Sequence, residues 1–179
     1  MAMQAWIAVK GAKQGQFKAE IPAAGKRIET RSDKWSAVLA FTMGVTSPRD
    51  PATGLPTGKR QYQAVTIVKQ WGASSPQALA ACANNEILTE VVIEFTRPST
   101  TSGAADVVYQ SVKLTNASFS QIARFTDPAG GTTDTPSAAP AATTDMVELE
   151  RWSLTFQKIE VTDTDSKTAF DDTWSPASA

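Results

Sequence analysis

The residue types that run most hydrolytic and metal chemistry are scarce in this chain. There is no histidine and one cysteine, Cys82, among 179 residues. Without histidine there is no Ser-His-Asp or Cys-His nucleophile pair and no HExxH zinc helix. A single thiol leaves little with which to hold a transition metal tightly. It also excludes an internal disulfide and fits synthesis in a reducing compartment. Cys82 falls on the apolar stripe of an expected helix with no base in sight, so it reads as a small core residue.

Four local patterns invite a chemical reading, and each has a simpler one. Asp163-Thr164-Asp165-Ser166-Lys167 opens like a calcium loop, but Thr168 and Trp174 stand where glycine and glutamate are needed. A solvated acidic turn, with Asp171 and Asp172 beyond it, is the expectation. Gly54-Leu55-Pro56-Thr57-Gly58-Lys59 is one residue short of a phosphate loop, Arg60 replaces its Ser or Thr, and Pro56 removes a backbone donor. Gly11-Ala12-Lys13-Gln14-Gly15 reads as a turn with two flexible points. Glu90 and Glu94 on one strand face stand about 13 Å apart, too far for a glycosidase pair. The expectation is therefore no catalytic residue, no metal site and no cofactor.

The elements that carry these residues follow a period of two. Val91, Ile93 and Phe95 alternate with Glu90, Val92 and Glu94, the pattern of a strand with one buried face. Val108, Val112 and Leu114 share a second such face, with Tyr109 and Ser111 opposite. After a break at Asn116-Ala117, Phe119, Ala123 and Phe125 share a third, so the two segments are expected to pair as a hairpin. Trp152, Leu154 and Phe156 alternate until Lys158, where the phase slips to Ile159 and Val161; a bulge or bend explains the slip. Further strands are read at Ala5–Val9, Ser36–Met43, Tyr62–Lys69 and around Phe170–Trp174, giving about eight in all. The five tryptophans (6, 35, 71, 152 and 174) read as core or interface anchors.

One segment reads as helix. Pro76 in the first turn makes Ser75 the cap, whereas a capping box pairs Ser74 with Gln77. Leu79, Cys82 and Ala83 form the expected buried stripe, and Asn84-Asn85 the stop. Two loops stand apart. Thr46–Lys59, with three prolines and two glycines, is expected to lack regular structure and to protrude as an arm. Thr126–Thr144 has almost no large apolar residue and reads as a surface loop. The whole, residues 1–179, is read as one mainly antiparallel all-β domain: a small barrel with a helix on its side.

Partners are bounded by charge. Lys plus Arg is 17 and Asp plus Glu is 18, a net charge of −1, which argues against nucleic-acid binding. Apolar runs fall short of a membrane span, and Met1–Trp6 lacks the layout of a signal peptide. Long strands with one apolar face must close on themselves or pair with other copies.

From Arg60 onward the segment order resembles the Hcp family, haemolysin-coregulated proteins of the bacterial type VI secretion system. Arg60–Lys69 is similar to the family's strand before its helix. Ser74-Ser75-Pro76 with Leu79 resembles its SSP-x-L helix start, and Lys113-Leu114-Thr115-Asn116-Ala117 its KL-x-NA motif. Glu148–Ile159 resembles its E-x-(x)-SL-x-F-x-KI strand, and Ala8-Val9-Lys10-Gly11 its first strand end. Tyr62 or Gln63 stands where the family often has histidine, and residues 127–143 are an unusual low-complexity filling.

The resemblance implies a barrel that assembles as a six-membered ring, with rings stacked into a hollow tube. It implies sheath, spike and effector proteins as partners, and cytoplasmic assembly followed by export without a signal peptide. Arg49, Asp50, Leu55 and Lys59 in the arm are then expected to touch an adjacent subunit or the next ring. Two rival readings remain beside it: a phage-like contractile tail tube protein, and a monomeric β-barrel adaptor. An enzyme using carboxylates alone is a third.

Overall fold

The computed structural model describes residues 4–19, 34–99, 106–128 and 146–174. In chain order its elements are β1 (Gln4–Gly11), β2 (Gly15–Gln16), β3 (Ser36–Val38), β4 (Ala40–Thr42), β5 (Val45–Thr46) and β6 (Gln61–Tyr62). Then come β7 (Val65–Gln70), α1 (Ser75–Ala83), β8 (Leu88–Arg97), β9 (Val107–Pro128), β10 (Met146–Thr155), β11 (Lys158–Asp163) and β12 (Thr168–Thr173). Every pairing is antiparallel.

These strands close on themselves. β1 pairs with β8, β8 with the first half of β9, the second half of β9 with β10, β10 with β7, and β7 with β4. The last gap is bridged by residues 36–42: β3 pairs with β1 and β4 with β7, with a bend at Leu39 between them. β11 continues the line of β10 along β9, and β12 adds outside it. The expected barrel is present. Among the described residues its sheet has ten strands and the arm two more, because the predicted strands at 36–43 and 62–69 are each broken and the shortest pairings escape a hydropathy reading.

The expected hairpin across Asn116-Ala117 is absent: residues 107–128 form one strand of 22 residues. The type I′ reversal, the two-residue turn that an Asn-led pair serves, needs a left-handed conformation at both central positions, which is why Asn-Gly suits it. Here Asn116 alone takes positive φ, at +50°. Ala117 instead pairs with Leu88 and is fully buried. One left-handed residue bends a strand without turning it back. Opposite this bend, the neighbouring strand breaks at Phe156-Gln157, where the alternation slips; Asn116 Nδ2 donates to Gln157 Oε1 at 2.7 Å. The two bends form a crease along which one sheet passes into the other.

Inward residues follow the expected alternation at Val91, Ile93 and Phe95, and at Trp152, Leu154 and Phe156. Two bulges change it elsewhere. Thr96 pairs with Val108 and Phe95 with Gln110, so Tyr109, not Val108, packs on the core. Leu154 pairs with Phe119 and Ser153 with Gln121, so Ile122 replaces the expected Ala123. Full burial of a side chain such as Ile93 or Leu114 contributes about 1.5–3 kcal/mol. Phe119 meets Trp152 edge-on at 5.3 Å, and Phe41 meets Phe95 at 5.2 Å.

The helix forms where expected but buries a different face. Ser75, Ala78 and Ala81 are buried and Cys82 is half-buried, whereas Leu79 is 37% exposed and Ala83 is exposed. α1 lies against β9, and small residues on both, including Ala117, allow close approach. Neither predicted cap forms. Ser74 sits at the cap position in a helical conformation and makes no capping hydrogen bond there. The Asn84-Asn85 stop holds, with Asn85 at φ +50°. Of the expected loop Thr126–Thr144, residues 126–128 end β9 and the rest lie outside the described residues.

The crease gives a direct expectation. Asn116→Gly should change stability by less than about 0.5 kcal/mol, whereas Asn116→Val, β-branched at positive φ, should cost about 1–2 kcal/mol. Urea unfolding midpoints of the three proteins check it.

Candidate functional site

The arm is the most exposed element of the described chain: every residue from 51 to 61 is exposed. Against the expectation that its prolines preclude regular structure, it is a paired ribbon. β5 and β6 pair as Val45↔Tyr62 and Thr46↔Gln61, and a further bridge joins Arg49 to Pro56. Thr57 N–H donates to Pro48 O at 3.0 Å, and Asp50 N–H to Leu55 O at 2.9 Å. The prolines fall where the ribbon needs no donor.

Asp50 organises the tip. Its carboxylate accepts from Ala52 N–H at 2.9 Å and from the Thr53 hydroxyl at 2.8 Å, while Gly54 N–H donates to its carbonyl at 2.8 Å. The Ala52 N–H and then the Thr53 hydroxyl hold that carboxyl below its ordinary value of 3.8. Gly54 supplies the positive φ, +71°, that closes the turn. Arg49 Nη1 donates to Gly54 O at 3.3 Å, and Leu55 stands 64% exposed. Thus Arg49, Asp50 and Leu55 gather at the tip, while Lys59 lies exposed near the base. Asp50 is a turn former, not a free charge. An apolar row, Leu39, Met43 and Val45, leads from the barrel to the arm and is exposed at 51%, 38% and 57%.

The arm's base is fastened to the last strand. Arg60 Nε and Nη2 reach both carboxylate oxygens of Asp172, and the Tyr62 hydroxyl donates to the same carboxylate. Arg60 Nη2 also donates to Thr173 O at 3.2 Å. The Tyr62 hydroxyl, then Arg60, hold the Asp172 carboxyl below its ordinary range. The Tyr62 ring packs on Phe156 and Trp174 at 5.3 and 5.8 Å. Asp172 was read as part of a solvated acidic turn; it is a structural acceptor. Asp163 and Asp165 do lie in that turn, the first accepting from Ser166 N–H and the second pairing with Arg97 at 2.7 Å.

Two buried carboxylates were not singled out beforehand. Lys69 and Glu150 face each other directly across β7 and β10, fully buried, with Nζ 3.0 Å from Oε1. Ser75 Oγ donates to Glu150 Oε1 at 2.7 Å and accepts from Gly72 N–H at 2.9 Å, so the pair ties the helix start to the sheet. Arg124, stacked 3.8 Å over Trp71, brings Nε to 3.7 Å from Glu150 Oε2. A sequence signal existed: Val65-Ile67-Lys69 and Glu150-Trp152-Leu154 each place a charge, of opposite sign, in an inward row. Glu86, also buried, accepts from the N–H groups of Lys13 and Gln14 at 2.7 and 2.9 Å and from Gln14 Nε2 at 3.0 Å. The Gln14 N–H is the largest influence holding its carboxyl below 4.5. A Cβ on Gly11 would collide with this carboxylate, so that glycine serves space; Gly15, at φ +69°, serves the turn.

Glu90 and Glu94 point to the outer face, as their alternation implies. Successive registers bring Val92, Lys113, Glu160 and Asp171 into one row across β8, β9, β11 and β12. Lys113 pairs with Glu90 at 3.1 Å and Lys158 with Glu160 at 2.7 Å. The result is a shallow polar groove of about 460 Å³ with Phe170 at its edge. Its acids outnumber its bases, Glu90, Glu94, Glu160 and Asp171 against Lys113 and Lys158. Among the described residues no three His, Cys, Asp or Glu side chains gather as a metal site.

A closed barrel with a side helix and a ribbon arm is the architecture the resemblance implies, and the family assignment follows. Residues 7–162 match the family model described as type VI secretion system effector, Hcp. The chain belongs to the Hcp family. It is 34% identical over 115 residues to the "Major exported protein" of Pseudomonas aeruginosa, a match covering 63% of this chain and 66% of that one, just under two thirds. Among solved structures, one described as an Hcp protein superposes with a TM-score of 0.77 at 22% identity, over 97% of this chain and all of the other. The secreted protein Hcp3 from Pseudomonas aeruginosa gives 0.70 at 23%, over 98% of this chain and all of that one. At these identities the structures speak for the Hcp fold.

Two expectations follow from the buried acids. Glu150→Ala strands the Lys69 ammonium in the core and should cost about 3–5 kcal/mol, whereas Lys69→Met with Glu150→Leu should recover most of it, by chemical denaturation. Glu86→Gln should cost about 1–2 kcal/mol at neutral pH. Because the folded-state pKa is depressed, wild-type Glu86 contributes fully above 4.5 and loses its advantage as pH falls through the lower, folded value. Denaturation of both proteins across acid pH reads this convergence.

Proposed function

We propose that this chain is the tube subunit of a type VI secretion apparatus: copies form six-membered rings, the rings stack, and effectors travel in the lumen. The observation that carries this reading is the exposed, internally braced arm together with the apolar row at its root. Leu39, Met43, Val45 and Leu55 are exposed at 38–64% on or beside one ribbon, and apolar surface gathered in that way favours cover by another molecule. A ribbon whose donors are already satisfied is rigid enough to dock without losing much entropy. In this reading Arg49, Leu55 and Lys59 touch the adjacent subunit or the next ring, and Asp50 keeps the tip in shape.

Membership of the Hcp family and likeness to a protein named for its export support delivery through the apparatus, with sheath, spike and effector proteins as partners. The role is mechanical, with no catalytic residue. In this reading the groove, acidic on balance with two of its acids paired to lysines, is part of a wet polar wall.

Mass photometry and negative-stain microscopy of the purified protein test the proposal. Annular particles near 115 kDa, six times the 19.1 kDa chain, are expected. A 19.1 kDa particle at every concentration would overturn it. Deleting residues 48–57 should leave any isolated ring intact while shortening tubes several-fold, and tubes of unchanged length would refute the role given to the arm.

A further inference from the structure

An arm that must meet another copy has to leave the barrel in one direction, and its own contacts do not set that direction. The bonds within residues 48–57 shape the tip. The ladder at the root pairs two residues on each side, with Gln63 N–H donating to Gly44 O at 2.9 Å beside it, and so short a ribbon is marginal in water. What ties its base to the last strand is the carboxylate of Asp172, more than a hundred residues away in sequence. That carboxylate takes the planar fork of Arg60 on both oxygens and the hydroxyl of Tyr62 as well. Arg60 and Tyr62 flank Gln61, so both grips lie on one face of the returning strand. Fork-to-fork geometry fixes an angle as well as a distance. The Asp172 side chain is 15% exposed while that of Arg60 is 46% exposed, so the acceptor is the sheltered, fixed half of the pair. Trp174, beyond Asp172, stacks on Tyr62 and Phe156, and its N–H donates to Gln157 O at 2.7 Å. The anchor therefore rests on the crease of the barrel.

We propose that Asp172 is the positioning residue of the arm, holding Arg60 and Tyr62 so that the tip points where ring stacking requires it. This rests on the stacking role of the arm and adds a residue that lies outside the docking surface at the tip. The arm's aim is set by the last strand of the barrel, not by the ribbon. Side chains at the tip supply the docking surface, and Asp172 supplies its bearing.

The full chain carrying Asp172→Asn tests the assignment, beside the exchanged pair Arg60→Asp with Asp172→Arg. Amide exchange in residues 47–58 should quicken by about tenfold in Asp172→Asn, with exchange in β8 and β9 unchanged. Ring mass should persist and tube length fall several-fold, and the exchanged pair should restore both exchange and length. Tyr62→Phe, which keeps the ring and removes one donor, should give an intermediate effect and replaces Asp172→Asn if that protein does not fold. Wild-type exchange in the arm of Asp172→Asn overturns the assignment. So do wild-type tubes from a loosened arm when the 48–57 deletion does shorten tubes. If the deletion also leaves tubes unchanged, the stacking role fails first and the assignment falls with it.

Discussion

One strand belongs to two sheets, and the rest of the architecture follows from that. β9 pairs with β8 and β11 over its first half and with β10 over its second, so neither sheet can leave the other without breaking a continuous backbone. The bend is concentrated at Asn116 and answered by the break at Phe156-Gln157 in the facing strand. Two strands that crease together keep their hydrogen bonds on both sides of the fold line. Buried backbone groups stay paired, which a sharp turn without such an answer would forbid. The helix, packed on β9, and the aromatic cluster around Trp174 both sit against this crease or beside it.

Within that frame the polar groups inside the protein act as fasteners. Lys69 and Glu150 join β7 to β10 and, through Ser75, to the helix. Glu86 joins the β1–β2 turn to the segment after the helix. Asp172 joins the arm to the last strand. Each carboxylate meets donors from an element distant in sequence, and each therefore specifies one arrangement of elements more sharply than apolar contact alone does. Glu86, Glu150 and Asp172 each hold geometry in this way.

Much of this was legible in the residue pattern, and the failures share a cause. Alternation located the strands around Val91–Phe95 and Trp152–Phe156 and flagged the slip at Lys158, because burial of one face repeats every second residue whatever the partner strand. Asn116 misled because the same left-handed residue serves a bend or half of a reversal, and the choice rests with Leu88 and Gln157 across the ladder. The helix stripe misled for a related reason: hydropathy favoured Leu79, but the surface beneath admits Ala78 and Ala81. Arg60 and Asp172 lie too far apart in the chain for any spacing rule to join them. Prolines and glycines marked the arm, yet its internal order and its anchor came from geometry.

The stave formed by residues 36–42 carries a consequence of its own. Three residues on each side of Leu39 complete the cylinder, gripping β1 at Ala5–Ile7 and β7 at Thr66–Val68. If that stave lifted, two rows of unpaired amides would face solvent beside apolar side chains, the kind of template on which identical chains add into fibres. The barrel thus keeps an adhesive edge under two strands of three residues each, and the seam at Leu39 is what separates a closed cylinder from disorderly aggregation.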